Sequence, residues 1–353
     1  MTFYEGIKFC KTNSFRKSKN PVVIVIFIEY STAAIFTIIT LIDGENGCFV
    51  YIDMNDTNSK LMEYGADSAI LLISIIWGST FIFTKQAVEN ISVFSFLTLR
   101  FAIAFLLLWI ICLPRIKRLN IKTLSDGFML GTVLFLTFAF KTVGLKYTSA
   151  SVTAFITGLY VVIVPVLSII ILKKKPDLYL LVGVLFSFAG LFLITTNGKL
   201  ALSKGEALVL ANAFFASFHI VLTDHYSKRN DIFLLTAVQI SVVLVFSFTA
   251  SFLFEPGGLN INFGKQLVFA LLLTGIFATV VAFLVQTGLQ KYTTTTKAAV
   301  IYGMEPVSSA FFSYFIGAEL LTLKQYAGAM IIIFAMFFVE AGSYYRSKTA
   351  RSS

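Results

Sequence analysis

The chain has 353 residues, of which 57% are apolar and 13% are charged, and its formal net charge is +10. This composition excludes a water-soluble globule, because the apolar residues form long runs separated by short charged loops, as expected where each run crosses about 30 Å of hydrocarbon. Backbone groups in hydrocarbon must bond within the chain, and the runs do not alternate as barrel strands do, so the sequence predicts transmembrane helices.

Charge and cysteine usage exclude further classes. The Lys and Arg residues are scattered over short loops, a pattern that sets membrane orientation rather than one that binds nucleic acid. Cys10, Cys48 and Cys112 are too widely spaced for a disulfide framework or a metal site. No Gly-x-x-x-x-Gly-Lys-Ser/Thr loop is present, so we predict no cofactor and no metal.

The first 66 residues form an N-terminal extension that differs from the rest. Five basic residues precede an apolar run at 21–42 that is long enough to span a membrane as an extra helix. Such a span would place those basic residues outside, against the positive-inside rule, so an interfacial or absent segment is favoured. Synthesis from Met54 or Met62 is the other alternative.

From Asp67 onward, span and loop alternate regularly, and short loops end at helix-stopping residues such as Pro114 and Pro176. We predict ten helices, at about 67–85, 93–113, 124–142, 150–172, 178–196, 206–223, 232–254, 266–288, 298–316 and 323–342. The fold class is therefore an all-α integral membrane protein.

An internal repeat divides this ten-helix core. Residues 146–160 recur 145 positions later as residues 291–305, and both copies open with Lys-Tyr-Thr. The halves are 67–197 and 205–342, followed by a basic tail at 343–353. Five spans per half is an odd number, so the second half enters the bilayer from the opposite side, which makes the halves an inverted repeat.

Loop charges predict the orientation. With Asp67 on the cytoplasmic side, fourteen Lys and Arg residues face the cytoplasm and seven, including Lys85, Lys141 and Lys146, face the other side. The positive-inside rule then places both ends of the core in the cytoplasm. We expect a multi-pass protein of the cell membrane (plasma or inner).

Several stretches resemble the drug/metabolite transporter superfamily in its ten-helix branch built from two EamA domains. The stretches that carry the likeness are Trp77-Gly78-Ser79-Thr80-Phe81, Leu99-Arg100-Phe101, Gly144-Leu145-Lys146-Tyr147, Glu305-Pro306-Val307 and Gly317-Ala318-Glu319. The chain departs from the pattern at Tyr160, where its repeat has Glu305. The resemblance implies secondary transport or export of small solutes, often amino acids or other metabolites, without ATP.

Polar and aromatic side chains within the spans are candidates for a solute path, because polar groups in hydrocarbon are costly and aromatic rings stack on apolar solutes. The candidates are Trp77, Phe81, Tyr160, His219, Gln239, Gln286, Tyr302 and Glu305. Each also has a structural interpretation as a residue that packs or bonds neighbouring helices.

Glu305 is the strongest of these candidates, because it lies about seven residues, or roughly 10 Å, into the ninth helix. It could exchange a proton or contact a cation. Alternatively it is a structural carboxyl group beside a kink at Pro306 or in a helix-end network with Lys297.

Two further groups of residues concern packing and helix ends. Small or kinking residues could allow close helix approach or local unwinding: Gly78, Gly158, Gly303, Pro165 and Pro306. Lys85, Arg100 and Lys297 are charged helix-end candidates. We expect Arg100 at the outer interface, where it could attract an anionic solute or extend to lipid headgroups.

The sequence thus predicts a secondary transporter of small metabolites that works by alternating access, with a small-molecule substrate and the lipid bilayer as partners. The alternatives are a non-transporting scaffold or receptor, and a nucleotide-sugar or sugar-phosphate carrier. No catalytic elbow or zinc-protease motif occurs in the helices, so we do not predict an enzyme.

The inverted repeat predicts that the turns at Lys146 and Lys291 lie on opposite sides of the membrane. Single cysteines at these positions in a cysteine-free background should be labelled by an impermeant maleimide from opposite sides. Labelling of both from one side would contradict the inversion.

Overall fold

The computed structural model describes residues 21–30, 34–43, 57–172, 178–196, 203–257, 261, 263–289, 292, 298 and 301–352. It separates into two compact units, Met1–Met62 and Glu63–Ser353, and each is described by itself. Lys297 and the Lys291 turn lie outside the described residues.

The first unit contains a β-hairpin where a helix at 21–42 was considered. Strands β1 (Pro21–Tyr30) and β2 (Ala34–Asp43) pair antiparallel, with Pro21 opposite Asp43 and Tyr30 opposite Ala34. Twelve of their twenty residues are Val, Ile or Thr. Branching at Cβ restricts these side chains in helices and suits strands, so the composition of this run agrees with the hairpin.

The second unit is helical, and its described helices overlap all ten predicted ranges. In chain order they are α1 (Thr57–Asn90), α2 (Val93–Cys112), a 3₁₀ turn (Leu113–Arg118), α3 (Ile121–Leu145), α4 (Ala150–Thr157), α5 (Tyr160–Leu172), α6 (Leu178–Thr196), α7 (Lys204–Ser227), α8 (Ile232–Phe254), α9 (Lys265–Leu272), a π-helical segment (Leu273–Val281), α10 (Ala282–Leu289), α11 (Met304–Gly317) and α12 (Leu323–Ser352). Helix α12 continues through the predicted basic tail.

Seven stretches of the described helices are long and apolar enough to cross a membrane. They are Gly65–Asn90, Val93–Arg118, Ile121–Leu145, Ala150–Leu167, Lys204–Ser227, Ile232–Phe254 and Lys265–Leu289. The chain is therefore a multi-pass membrane protein, and the count of ten spans stays a prediction.

Side chains at the starts of several helices explain where these helices begin. Asn120, Ser149 and Asp231 accept hydrogen bonds from backbone N–H groups in the first turns of α3, α4 and α8. Ser203 and Glu206 form a capping box at α7. Such caps satisfy N–H groups that have no partner within the helix.

Corresponding helices of the two halves pack antiparallel. Helix α2 starts beside the end of α8, where the Ser95 and Ser251 hydroxyls are 2.9 Å apart. At the other end of α2, the Arg115 guanidinium lies over the Phe233 ring near the start of α8. Helices α6 and α12 are also antiparallel, with Tyr179 against Phe338 and Phe186 against Phe334. Opposite directions of equivalent helices are what an inverted repeat requires.

Two spans are interrupted. The predicted span at 150–172 is broken between Thr157 and Tyr160, and Gly158 forms the C-cap of α4. Its counterpart Gly303 is the N-cap of α11, so both glycines lie where a helix is interrupted. Pro165 is inside α5, whereas Pro306 is in the first turn of α11, where a missing N–H group costs little, rather than at a mid-helix kink.

Helix α1 packs against α11 through Gly78. A Cβ atom at Gly78 would lie 2.5 Å from the Glu305 carbonyl oxygen and 2.6 Å from the Ser308 Cβ. The Ser308 hydroxyl also donates a hydrogen bond of 2.9 Å to the Ile75 carbonyl. Close approach of the two backbones therefore requires glycine at this position.

We predict that Gly78→Ala lowers the free energy of unfolding by about 1–3 kcal/mol, since overpacking must separate α1 from α11. Thermal unfolding of the purified protein in detergent measures the effect. Gly65→Ala is the matched control, because Gly65 lies in the same helix and a Cβ there would meet nothing within 4 Å. Equal melting temperatures for the two variants would contradict the close contact.

Candidate functional site

A cavity of about 60 Å³ lies between the two halves, a few times the roughly 10–15 Å³ that one water needs. Six of the predicted path residues line it: Trp77, Tyr160, His219, Gln286, Tyr302 and Glu305. The polar remainder of the lining is Thr137, Lys141, Thr157 and Asn212, and the apolar remainder is Leu134, Phe138, Ala216, Ile220 and Phe283.

Tyr160 and Glu305, which occupy the same position in the two repeats, contact each other in the cavity wall. The Tyr160 hydroxyl oxygen is 2.9 Å from Glu305 Oε2 and 2.6 Å from the Tyr302 carbonyl oxygen. Thr157 and Tyr302, another equivalent pair, also line the cavity. Equivalent residues meet in this way at the two-fold axis of a symmetric pair, so the cavity lies between the two repeats, at the axis that relates them.

Helices α1 and α10 complete one wall. The Trp77 Nε1–H donates a hydrogen bond of 2.8 Å to the Ala278 carbonyl in the π-helical segment. The Trp77 ring centroid is 5.6 Å from that of Phe283 and 5.5 Å from that of Tyr302. One indole therefore joins the first half to the second and supplies an aromatic surface to the cavity.

His219 is held by a polar neighbour behind the wall. Its Nε2 is 3.0 Å from Gln239 Oε1, and its ring packs edge-on against Phe283. Gln239 is fully buried and does not line the cavity. This pair fits the interpretation of His219 as a buried, hydrogen-bonded residue whose ring faces the cavity.

Several polar atoms of the lining residues have no hydrogen-bond partner within the described part of the chain. They are Asn212 Oδ1, Gln286 Oε1 and the Tyr302 hydroxyl. Asn212 uses its amide N–H for a bond of 2.8 Å to Thr157 Oγ1. Buried polar groups without partners are costly, so these atoms are available to a bound solute or to water.

Lys141 was counted among the residues of the outer loops, and this placement was wrong. Lys141 is next to the end of the predicted helix at 142, but helix α3 runs on to Leu145, and Lys141 lines the cavity. Its Nζ lies 4.9 Å from the Phe81 ring centroid and 4.8 Å from that of Phe138. The orientation count becomes fourteen to six and keeps its sign.

Arg100 does not lie at the outer membrane–water interface, where the sequence analysis placed it. It lies in the second turn of α2 and is only 2% exposed, with Nε donating to Thr279 Oγ1 at 3.0 Å. Its Nη2 is 3.5 Å from the Ala278 carbonyl oxygen, and its guanidinium lies over the Phe138 ring at 4.5 Å. The guanidinium of Arg100 thus contacts oxygens of the π-helical segment and an aromatic ring, and not the lipid headgroups that we expected.

The remaining predicted residues lie outside the wall. Phe81 is buried in a cluster with Ile82 and Leu145 and reaches the site only through Lys141. Lys85 donates a hydrogen bond of 2.8 Å to the Thr148 carbonyl, and its Nζ is 3.7 Å from Glu319 Oε1. It is therefore a helix-end residue that joins the two halves.

Sequence reasoning missed Lys141, Thr137 and Thr157 as lining residues. The signal for Thr157 was present, because it is the repeat equivalent of Tyr302, a path candidate. Lys141 needed a helix end placed three residues later, which the apolar residues Val143 and Leu145 would have allowed.

The model of the EamA-like transporter family matches residues 65–196 and again residues 203–341. The chain belongs to the EamA-like transporter family. The two matched ranges overlap the two halves of the internal repeat, so this EamA-like transporter contains two copies of the domain.

Relatives and a solved structure are similar to this EamA-like transporter over most of its length. An uncharacterized transporter of Archaeoglobus fulgidus is 37% identical over 275 residues, which are 78% of this chain and 85% of that protein. The uncharacterized transporter YoaV of Bacillus subtilis is 24% identical over 76% of this chain and 94% of its own length. A crystal structure with 17% identity covers 78% of this chain and 96% of its own, with a TM-score of 0.59, which shows the fold alone.

The two tryptophans allow a test of the wall. We predict that Trp77→Phe reduces solute flux, because it removes the bond to Ala278 and narrows the aromatic surface of the cavity. Trp109→Phe is the matched control, since Trp109 also donates one hydrogen bond, to Ser241 at 2.9 Å, but does not line the cavity. Each lost bond should cost about 1 kcal/mol of stability, and an equal loss of flux in both variants would contradict a special role for Trp77.

Proposed function

We propose that this EamA-like transporter is a secondary transporter that moves small metabolites, amino-acid-like or related solutes, across the cell membrane by alternating access. The observation that carries the proposal is the cavity at the centre of the repeat, whose lining comes from both halves and contains partnerless polar atoms. Binding sites in inverted-repeat transporters lie at such repeat interfaces near the membrane midplane.

In the proposed arrangement, ten spans cross the membrane and both ends of the core face the cytoplasm. The surplus of Lys and Arg in the loops on that side supports this orientation. The cavity then lies between the two faces, and rocking of one half against the other would expose it to each side in turn.

Polar contacts between the halves at both ends of the helix bundle support alternating access. At the outer end in this orientation, Glu255 accepts hydrogen bonds from the Phe94 and Ser95 N–H groups at the start of α2. Glu319 does the same for the Ala150 and Ser151 N–H groups at the start of α4. A carboxylate is stabilised at a helix N-terminus, so each is a bond between halves that outward opening would break.

The cytoplasmic end has a different set of contacts. Arg229, after α7, binds Asp126 of α3 through two hydrogen bonds of 2.9 and 3.1 Å. Asn230 donates to the same carboxylate at 2.7 Å. Opening towards the cytoplasm would break this cluster while the hydrogen bonds of Glu255 and Glu319 at the outer end remain. Each side of the cavity is therefore closed by its own set of contacts.

Proton coupling through Glu305 is supported by the burial of its carboxyl group in the cavity wall and by its contact with Tyr160. The Tyr160 hydroxyl has one proton and two acceptor oxygens within hydrogen-bond distance, Glu305 Oε2 and the Tyr302 carbonyl. The hydroxyl donates towards both oxygens, so its one proton is shared between the Tyr302 carbonyl and the Glu305 carboxyl group. Glu305 is 5% exposed, and an ionised carboxylate is costly to bury, so the gain or loss of its proton would change the balance of contacts between α5 and α11.

We expect Glu305→Gln to abolish the acceleration of solute flux by an imposed pH gradient while exchange of labelled for unlabelled solute continues. The oxygen of a glutamine amide can accept the hydrogen bond from Tyr160 as the Glu305 carboxyl group does, but glutamine cannot release a proton. Flux in proteoliposomes with and without the gradient measures both quantities, once a solute has been found by comparing metabolite export from cells with and without the chain.

Glu89→Gln is the control for this experiment, because it makes the same substitution at an exposed position near the end of α1. It should respond to the gradient as the unmodified protein does. A Glu305→Gln variant with full gradient-driven flux would refute coupling through Glu305, and no flux of any screened solute would refute transport.

A further inference from the structure

The π-helical segment Leu273–Val281 deprives one backbone carbonyl of its α-helical partner. In an α-helix, the Ala282 N–H group would bond the Ala278 carbonyl four residues back. Here that N–H group contacts the carbonyls of Phe277 and Thr279 instead. Bonding five residues back places one extra residue in the helix, and such segments are found mostly at functional sites. A buried carbonyl without a partner is costly, so this segment needs a donor from elsewhere.

Two side chains of the first half supply that donor. The Trp77 Nε1–H of α1 donates to the Ala278 carbonyl at 2.8 Å, and Arg100 Nη2 of α2 lies 3.5 Å from the same oxygen. Arg100 Nε also donates to the Thr279 hydroxyl at 3.0 Å. That hydroxyl in turn donates to the Thr274 carbonyl at 2.7 Å. The backbone of the segment is therefore held by contacts that cross from one half to the other.

The two halves provide an internal comparison, because the third helix of the first half, α3, is α-helical throughout. Gly131 lies ten residues after the start of α3, and Gly275 lies ten residues after the start of α9. A Cβ at Gly131 would lie 2.6 Å from the Gln239 carbonyl. A Cβ at Gly275 would lie 3.2 Å from the Arg100 carbonyl. Gln239 therefore occupies the place of Arg100 in the second half.

Gln239 does not hold α3 as Arg100 holds the π-helical segment. Its Oε1 contacts His219 of α7, and its Nε2 has no hydrogen-bond partner within the described residues. The third helix is thus regular in the half where this side chain donates no hydrogen bond to it. It is π-helical in the half where the equivalent side chain does, so the donors account for the π form.

The register of this helix determines which side chains face the cavity. Phe283 and Gln286 line the cavity, and both follow the π-helical segment. If the segment became α-helical while Gly275 stayed packed on α2, the helix beyond it would move by one residue, about 100° and about 1.5 Å. Each cavity position would then pass to the preceding residue, which is Ala282 or Val285 and has no polar side chain.

We propose that residues 273–281 form a register switch in the cavity wall, and that Arg100 is the positioning residue that holds it, with Trp77, in the π form. This inference rests on the proposed transport function, because rocking of the first half withdraws both donors. The orphaned carbonyl then regains its partner within the helix, and the segment becomes α-helical. The Phe283 ring and the Gln286 amide leave the cavity, so the solute loses two contacts when the cavity changes sides.

A disulfide between α8 and α10 reports the register without any solute. A Cβ at Gly288 would lie 3.6 Å from Ile232 Cγ2. Ile232→Cys and Gly288→Cys, in a background without the three native cysteines, should therefore form a disulfide in the π form. A helix turned by one residue carries position 288 away from position 232. Arg100→Met removes two hydrogen bonds that hold the π form, so it should lower the initial rate of disulfide formation roughly threefold or more.

Two further variants control this measurement. Arg100→Lys should restore most of the rate, because an ammonium group also donates hydrogen bonds. Gln239→Met is the matched control, since it removes a buried hydrogen bond at the equivalent place of the other half and should leave the rate unchanged. An unchanged rate in Arg100→Met, or an equal fall in Gln239→Met, would overturn the inference.

The same disulfide separates a register switch from rigid rocking. Both cysteines lie in the second half, so the bond does not join the halves, and rocking alone would survive it. Proteoliposomes loaded with an equimolar mixture of the common amino acids provide the probe, and mass spectrometry measures each compound released. Oxidation should abolish the protein-dependent release, and a reducing agent should restore it.

The outcomes distinguish this inference from the transport proposal. Release that continues at full rate from the oxidised protein overturns the register switch and leaves transport standing. A disulfide rate that depends on Arg100 as predicted, without release of any of these compounds by the reduced protein, supports the role of Arg100 in the register and counts against transport of this solute class.

Discussion

The hydrogen bond between Tyr160 and Glu305 is the interaction on which the site depends. It joins α5 of the first repeat to α11 of the second at the point where equivalent residues meet. The same hydroxyl also lies 2.6 Å from the Tyr302 carbonyl, so one side chain of the first repeat contacts both the backbone and the carboxyl group of the second. Glu305 lines the cavity together with Lys141, so this contact also positions the carboxyl group of the cavity wall.

The helices around this centre are arranged by small residues and by polar groups at their ends. Gly78 lets α1 approach α11 directly behind Glu305, and Glu319 reaches across to the start of α4 after a left-handed Ala318 ends α11. Such a conformation is uncommon for a residue other than glycine, and here it turns the chain so that the next carboxylate meets two free N–H groups. Apolar burial alone gives little direction to helix association in lipid, so these contacts determine which helices meet.

The sequence predicted the family, the positions of the helices and six of the fifteen residues of the cavity wall, because hydrophobic periodicity and a repeat of constant offset are local or additive signals. It did not predict the burial of Arg100, which depends on oxygens supplied by a π-helical segment 179 residues away along the chain. It counted Lys141 with the outer residues because the predicted helix ended at 142, three residues before the end of α3, an error typical of helix boundaries. The run at 21–42 was ambiguous, since its length suits a helix while its β-branched residues suit strands.

The unlike pair at the centre has a consequence for how such a molecule could arise. An ancestor assembled from two identical five-helix subunits in opposite orientations would set identical side chains across its axis, either two tyrosines or two carboxyl groups. Two adjacent carboxyl groups cannot both ionise, and they would share one proton. Once the sequences of the two copies differ, as they do in this polypeptide, one position can be a phenol and the other an acid, so the contact contains a single carboxyl group.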